Sequence, residues 1–272
     1  RILSSAASDV YKRQILDGDS IANADILQLP NPMGNMPANL SVIPEDMDMQ
    51  MTMIDVMYAP TKDLTLMMMG TYVSKDMTLG TYAAMMDRNL LGIFKTSSSD
   101  LSELTFSALR TISDADNSKW HAEATLQKSL GNNDQTGLVL TPMGTEMNMI
   151  LPYAMQPSDK ATRLILGLNN SRKLSEKVSW TNQARFKKVL DEKEWSLGDQ
   201  LELNSWVQYQ YKSSLSVSTR LKFVSQKDIS GSNPMIMAPV QTANPENYGG
   251  DELHIGFGAN YDLSSLTSKQ DV

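Results

Sequence analysis

Residues 47–73 read MDMQMTMIDVMYAPTKDLTLMMMGTYV, and this stretch decides the fold. Methionine stands at every second position from Met47 to Met57, except where Asp55 takes its place. Alternate side chains of a β-strand lie on the same face, so this spacing predicts a strand with a methionine face. Residues 58–63 combine a proline with polar neighbours, which favours a turn, and the alternation resumes at 64–73. The stretch therefore predicts a β-hairpin.

The pairing of the two strands in this hairpin sets which methionines meet. If Tyr58 pairs with Leu64, the methionines of both strands gather on one face. This register places two pairs of residues opposite each other, namely Met53 with Met69 and Asp55 with Met67. The other face is apolar along its length and has a tyrosine near each end, as a lipid-facing surface would. That face is formed by Ile54, Val56, Tyr58, Leu64, Leu66, Met68 and Tyr72.

The composition excludes several classes of protein. The chain has 272 residues, of which 41% are hydrophobic. No segment approaches the ~18 consecutive apolar residues that a membrane-spanning helix needs. The absence of cysteine rules out disulfide bonds and thiolate metal sites. The net charge is −7 and there is no long basic run, so the sequence predicts no nucleic-acid partner.

Seven further segments alternate apolar and polar residues, which gives nine predicted strands in all. The connections alternate between short and long, and the long ones are 74–99, 129–159 and 228–250. A soluble β-sandwich gives no reason for this alternation, whereas a transmembrane barrel has short periplasmic turns and long external loops. The predicted fold class is therefore an all-β, antiparallel, up-and-down transmembrane β-barrel, surrounded by the lipid of a bacterial outer membrane. The seven segments are 100–111, 120–127, 162–168, 178–187, 201–211, 215–223 and 253–261.

The chain divides into four predicted regions. Residues 1–14 form a leader, in which 3–14 resemble a translated sequencing adaptor, and residues 15–46 form a proline-rich loop. The barrel domain covers 47–263, and 264–272 form a tail that does not continue the strand pattern. Because such barrels have an even number of strands, we expect about ten or twelve in the parent protein. We also expect that the true N-terminus, with its export signal, is missing here.

The polar faces of the predicted strands carry many charges. Burial of so many charges in a dry protein core would cost far too much free energy, whereas a water-filled lumen accommodates them. We therefore predict that nine charged side chains line a lumen. They are Asp55, Glu103, Glu123, Arg163, Arg185, Lys187, Glu202, Arg220 and Lys222.

Several segments resemble a methionine-rich group of bacterial outer-membrane barrels, which is grouped with the meta-pathway phenol-degradation family. These segments are 17–20, 47–69, 151–156 and 233–239, and they occur in the same order as in that group. The resemblance spans most of 15–262. It implies an exported barrel of about twelve strands with a transport role. One strand would then be missing at the front and two at the back.

The methionine face suggests a soft-metal site, since thioether sulfur suits Cu(I). A face that carries Met49, Met51, Met53, Met67 and Met69 would gather three sulfur atoms around one Cu(I) or Ag(I) ion; the sequence predicts no other cofactor. The loop methionines would then form an external surface that collects soft metal ions. The alternative is that methionine is a pliable apolar filler in a purely structural barrel. The loop methionines are Met77, Met85, Met86, Met143, Met147, Met149, Met155, Met235 and Met237.

The predicted function is transport rather than catalysis. An outer-membrane hydrolase, the alternative from another class, would need a serine with a histidine base. Ser102 and Ser225 lie near predicted external loops, but the sequence has no Gly-x-Ser-x-Gly motif and places a histidine beside neither serine. A porin-like diffusion pore is the third interpretation. We predict a channel for soft metal ions or small hydrophobic compounds, and the oligomeric state stays open.

Overall fold

The computed structural model describes residues 2–11, 15–16, 19–34, 36–85 and 87–262. The helical segments among these residues are α1 (Asn23–Ile26) and 3₁₀ turns at Tyr153–Met155, Gln241–Ala243 and Pro245–Tyr248. All other regular structure is β. In chain order the strands are β1 (Ile2–Tyr11), β2 (Ile15–Leu16), β3 (Asp19–Ser20), β4 (Val42–Tyr58), β5 (Leu64–Tyr82), β6 (Leu90–Ala115), β7 (Ser118–Ser129), β8 (Thr136–Leu140), β9 (Glu146–Ile150), β10 (Thr162–Lys173), β11 (Val178–Asp191), β12 (Trp195–Ser196), β13 (Gln200–Lys212), β14 (Leu215–Gln226), β15 (Ser230–Gly231) and β16 (Gly250–Tyr261).

The long strands form one antiparallel sheet that curls into a half-barrel. Its strand order is β1-β4-β5-β6-β7-β10-β11-β13-β14-β16, so from β4 onwards each long strand lies beside the next one in the chain. The pairs β2–β3, β8–β9 and β12–β15 form small two-stranded sheets in the connections. In the part of the chain that the structure describes, no helix is long and apolar enough to cross a membrane.

All nine predicted strands are present, and the predicted all-β, up-and-down fold class is confirmed. The predicted leader overlaps β1, and its origin stays a prediction. The predicted tail, 264–272, lies outside the described residues.

The predicted long loop at 74–99 is wrong, because β5 runs on to Tyr82 and β6 already begins at Leu90. The alternation of side chains inverts in this extension. In the part of β5 before Tyr72 in the sequence the outward-facing residues are apolar, whereas after Tyr72 they are mainly polar, as at Asp76. Sequence alternation therefore loses its phase where the strands continue past the apolar band.

The register of the first hairpin differs from the prediction by two residues. Tyr58 pairs with Leu66 and not with Leu64. Leu64 pairs with β6 but not with β4, so the turn between β4 and β5 is longer than predicted. The predicted pairs Met53–Met69 and Asp55–Met67 are therefore wrong. A shift of two keeps every side chain on its predicted face, since the side-chain period of a strand is two. The observed pairs are Met53 with Thr71, Asp55 with Met69 and Met57 with Met67.

The two faces of the sheet differ in side-chain chemistry. On one face, here called the apolar face, large hydrophobic side chains are exposed on every long strand from β4 to β16. On the other face, here called the ionic face, the side chains of β4 are half-buried and alternate with the exposed ones. The apolar face includes Ile54, Val56, Leu66, Met68, Phe106, Leu126, Leu166, Leu168, Phe186, Leu203, Val207, Leu221 and Phe257.

The two ends of the sheet also differ. At one end, the short-turn end, the connections are 59–63, 116–117, 174–177 and 213–214. The opposite end, the long-loop end, carries 130–161 and 227–249, which together form what we call the loop cap. The cap folds back over the sheet and contains most of the buried apolar core, including Leu151, Met155 and Val240. The core therefore lies at one end of the sheet and not at its centre.

The register predicts which engineered cysteines will join. The chain has no cysteine, so Met57→Cys with Met67→Cys creates one possible disulfide. Directly opposed Cβ atoms lie about 4.5–5.5 Å apart, whereas diagonal neighbours are farther apart. We expect this pair to cross-link under mild oxidation, measured by mass spectrometry. Met53→Cys with Met69→Cys is the matched control. Faster cross-linking of that control would show that the hairpin has the register predicted from the sequence, with Met53 opposite Met69.

Candidate functional site

The pairing register places all nine charged residues that were predicted to line a lumen on the ionic face. Glu123, Arg185 and Glu202 belong to one row that crosses β7, β10, β11 and β13. Asp55 is separated from this row because it lies on β4, near one edge of the sheet. The role of these residues in a lumen stays a prediction, and their contacts show how the face is built.

The centre of the ionic face is an ion pair that spans an intervening strand. The guanidinium of Arg185 on β11 donates two hydrogen bonds to the carboxylate of Glu123 on β7, with Nε–Oε2 at 3.1 Å and Nη2–Oε1 at 2.8 Å. Between them on β10 lies Gly167, which pairs with both residues. A Cβ atom at Gly167 would lie 2.9 Å from Glu123 Oε2. A larger residue at this position would therefore push the Glu123 carboxylate out of its present place.

The contacts continue onto β13 and β14. Lys222 Nζ lies 3.0 Å from Glu202 Oε2. Asn204 joins this pair to its neighbours, because its Nδ2 donates to Glu202 Oε1 at 2.6 Å and its Oδ1 accepts from Nε and Nη2 of Arg220. Acidic and basic groups thus alternate across the strands and offset each other's charge. The sequence had singled out the charged members of this network but gave no sign of Asn204 or Gly167.

The ionic face is wet rather than a dry core. The side chains of Arg185 and Lys222 remain 32% and 31% exposed, while their partners Glu123 and Glu202 are 9% and 14% exposed. Each pair therefore has one deeply placed carboxylate and one cation in contact with solvent. This part of the face, from β7 to β14, therefore presents charge to solvent.

Arg163 leaves this network and anchors the loop cap. Its guanidinium forms a two-pronged ion pair with Asp159, and both side chains are buried. Asp159 also accepts hydrogen bonds from the backbone N–H groups of Ala161 and Leu197. Burial alone would raise the pKa of Asp159, but Arg163 and these N–H groups outweigh it and hold the pKa below its ordinary value. Asp159 thus ties two connections to β10.

A strap of the loop cap, residues 153–157, crosses the ionic face of β5 and β6. Lys75 Nζ donates to the carbonyl oxygens of Ala154 and Gln156 at 2.7 and 2.8 Å. Ser102 Oγ donates to a third carbonyl of the strap at 2.8 Å. The strap therefore covers part of the ionic face at the long-loop end.

The five methionines that were predicted to bind a soft metal ion do not converge on one point. Met49, Met51 and Met53 follow one another along β4, about 6.8 Å apart at each step of two residues. Met51 lies opposite Val73, so no methionine of β5 faces it directly.

A tighter group includes Met57, which the sequence interpretation left out. Met57 lies directly opposite Met67, and the neighbouring pair is Asp55 with Met69. Asp55 Oδ2 is buried and has no hydrogen-bond partner among the described residues. The alternation of the sequence already places these four side chains on one face; only the true register shows which of them are opposed. The described residues contain no group of three or more histidine, aspartate or glutamate side chains arranged to hold a metal ion.

The loop methionines have more than one environment. Met77 lies on β5 and not in a loop, and it is buried in the same apolar cluster as Met155 of the cap. Met86 lies outside the described residues. Five others, together with Met36, line a pocket of about 420 Å³ at the long-loop end, here called the methionine pocket. None of the described residues that line it is charged. Its methionines are Met36, Met85, Met143, Met147, Met149 and Met237.

The described residues do not assemble the parts of a hydrolase. Ser102 is occupied by its hydrogen bond to the strap. Ser225 pairs with Asp251 in a row of the apolar face, whereas His254 lies on the ionic face and contacts Glu252 at 2.8 Å. Neither serine therefore has a histidine within hydrogen-bond reach.

Aromatic side chains mark the limits of the apolar face. At the short-turn end, six outward-facing positions within four residues of a strand end hold tyrosine or tryptophan, as in the girdles of outer-membrane barrels. The apolar band, the aromatic girdle and the charged opposite face together make this sheet the wall of a transmembrane β-barrel. The outer membrane is the predicted location, and this architecture agrees with it. The girdle residues are Tyr58, Trp120, Trp180, Tyr209, Tyr211 and Tyr261.

No protein-family model matches the chain, and no curated protein matches it. Among solved structures, it is similar to the COG4313 outer membrane channel from Pseudomonas putida F1, with 12% identity, coverage of 84% of this chain and 72% of that chain, and a TM-score of 0.49. It is also similar to the beta domain of the Bordetella autotransporter BrkA, with 13% identity, coverage of 84% of this chain and 78% of that chain, and a TM-score of 0.42. Its similarity to the Pseudomonas putida toluene transporter TodX has 11% identity, coverage of 97% of this chain and 69% of that chain, and a TM-score of 0.43. The likeness is one of fold.

The crossing of Arg185 over Gly167 gives a direct prediction. In Gly167→Ala the new methyl group collides with Glu123, so the ion pair must move apart. We expect the free energy of unfolding to fall by about 1–3 kcal/mol, as for other overpacked sites. Urea unfolding in detergent micelles, followed by tryptophan fluorescence, measures this loss. Gly256→Ala is the matched control, because a Cβ atom there meets only Arg220 Cβ at 3.8 Å; equal losses would contradict the steric argument.

Removal of the Asp159 charge should loosen the loop cap. Asp159→Asn leaves the buried guanidinium of Arg163 without a counter-charge, which costs about 3–5 kcal/mol for a buried pair. We expect trypsin to cut the folded protein faster at the exposed Lys160. Asp134→Asn, an exposed position in the same connection, is the control and should leave the cleavage rate unchanged.

The same carboxylate sets an acid limit on stability. Because the pKa of Asp159 is below its ordinary value of 3.8 in the folded chain, its contribution to stability is complete above that value. The contribution is lost as the pH falls below it and through the folded-state pKa. We expect the urea midpoint of the unaltered protein to drop more steeply than that of Asp159→Asn across this acid range. Parallel curves for the two proteins would argue against the ion pair as the cause.

Proposed function

We propose that the chain forms an outer-membrane channel for small hydrophobic compounds, and that the methionine pocket is where these compounds first bind. The observation that carries the proposal is the uncharged lining of this pocket at the long-loop end. Small-molecule sites usually have volumes of about 300–1,000 Å³ and largely apolar walls. Long loops of outer-membrane barrels face the exterior, so the pocket lies where a compound would arrive.

The choice of methionine supports a broad class of ligand rather than one compound. Methionine is unbranched and polarisable, so its side chain adapts to ligands of different shape and makes favourable contacts with aromatic rings. Val42 and Val139 form a buried, less adaptable part of the same wall. Small apolar molecules, aromatic ones included, are therefore the substrate class that fits.

Binding of an apolar probe tests this proposal. N-phenyl-1-naphthylamine fluoresces when it enters an apolar site, and we expect it to bind the unaltered protein. The double variant Met143→Gln with Met147→Gln places two polar groups in the pocket wall and should weaken binding about tenfold, which corresponds to ~1.4 kcal/mol. Met235→Gln is the matched control, because Met235 is an exposed loop methionine that does not line the pocket. Equal affinity in all three proteins would exclude the pocket as the binding site.

A second candidate substrate is a soft metal ion such as Cu(I) or Ag(I). The observation that favours it is the pair Met57–Met67 beside Asp55 and Met69 on the ionic face. Thioether sulfur binds soft ions, and the buried carboxylate oxygen of Asp55 would offset the charge of a monovalent cation. The ion would be cargo in this case, not a resident cofactor.

Silver titration distinguishes the two candidates. With methyl-labelled methionine, we expect Ag(I) to shift the resonances of Met57, Met67 and Met69. The variant Met57→Leu with Met67→Leu should abolish the shift at Met69. Met68→Leu, on the apolar face of the same strand, is the control and should preserve it. If Ag(I) instead shifts Met143 and Met147, the external loops and not the sheet collect the ion.

A further inference from the structure

A polar patch interrupts the apolar face near the short-turn end. Asn170, Asn182 and Ser205 are directly opposed neighbours on β10, β11 and β13, in line with Trp120 on β7. One step closer to the turns, Arg172 lies opposite Trp180. These side chains share the apolar face, on which Leu166 and Leu168 are exposed. We call this patch the polar notch.

The notch is held by hydrogen bonds and is not a random exposed edge. Arg172 Nε donates to Asn170 Oδ1 at 2.9 Å, and Asn170 Nδ2 in turn donates to Ser118 Oγ at 3.0 Å. Asn170 is only 6% exposed, so its amide is fixed. Trp180 Nε1 donates to Ser205 Oγ at 2.8 Å. An arginine near a membrane edge usually just extends its charge to water, whereas this guanidinium is positioned by a buried amide that occupies one of its five N–H donors.

An apolar groove runs from the notch towards the middle of the sheet. It has a volume of about 580 Å³ and includes the notch residues Asn170, Arg172 and Trp180 in its lining. The rest of the groove is walled mainly by hydrophobic side chains of four strands. These are Leu168, Ala184, Leu203, Leu221 and Phe223.

We propose that the polar notch and this groove bind one glycerophospholipid of the periplasmic leaflet. The short turns of an outer-membrane barrel face the periplasm, so Arg172 lies near the headgroups of that leaflet. Guanidinium groups bind phosphate strongly, and tryptophan prefers the membrane–water interface. The phosphate would therefore contact Arg172 between Trp120 and Trp180, while an acyl chain fills the groove. A free anion would leave the groove empty, and a neutral apolar compound would leave the charge of the guanidinium without a counter-charge.

Lipid binding to the purified chain in a non-ionic detergent tests the proposal, with native mass spectrometry to measure the dissociation constant. We expect phosphatidylglycerol to bind, and diacylglycerol with the same acyl chains to bind about tenfold more weakly, because it lacks the phosphate. Inorganic phosphate should not compete with the lipid. This comparison uses the unaltered protein, so it stands even if a variant fails to fold.

Two variants then assign the effect to the notch. Arg172→Gln should weaken phosphatidylglycerol binding about tenfold and leave diacylglycerol binding unchanged. Arg110→Gln is the matched control, because Arg110 is an exposed arginine on the apolar face of β6 that does not line the groove. Equal weakening by both variants would reduce the effect to general charge attraction and overturn the proposal. Unchanged binding in Arg172→Gln, or displacement of the lipid by inorganic phosphate, would overturn it as well.

Discussion

Backbone pairing is the constraint on which the rest of this structure depends. In lipid no water is available to the peptide groups, so each must pair with a neighbouring strand. Pairing holds the strands extended, and extended strands send alternate side chains to opposite faces. The apolar face with Leu203 and Phe257 and the ionic face with Glu123 and Arg185 are two results of this one geometry. Whether a position on a strand is apolar or polar therefore depends on which of the two faces its side chain occupies, and the face alternates from one residue to the next.

The same geometry explains which features the sequence could predict. The face that a side chain occupies is preserved when a register shifts by two, so the methionine face was predicted correctly although Tyr58 pairs with Leu66. Contacts between side chains of different strands could not be predicted, because they depend on which residues lie opposite each other. Glu123 and Arg185 meet although 62 residues separate them, and Gly167 looks like any strand glycine until both neighbours are known. The extension of β5 beyond Tyr72 was not predicted, because its alternation of apolar and polar residues inverts where the apolar band ends.

Methionine shows that composition alone does not assign a role. Met155 fills the core of the cap, Met147 lines an external pocket, and Met57 faces Met67 on the ionic face. The flexible thioether suits all three places, since it packs into irregular gaps and also presents a soft, polarisable surface. The soft-metal and packing interpretations therefore apply to different methionines and need not compete for the whole set.

The wall and the loop cap are stabilised in different ways. The wall is a continuous ladder of backbone hydrogen bonds, so no single side chain decides whether it persists. The cap depends on an apolar core, on the buried ion pair of Asp159 with Arg163, and on side-chain hydrogen bonds to its strap, such as those of Lys75 and Ser102. The cap therefore depends on the identity of a few buried side chains, whereas the wall depends on the pairing of its backbone.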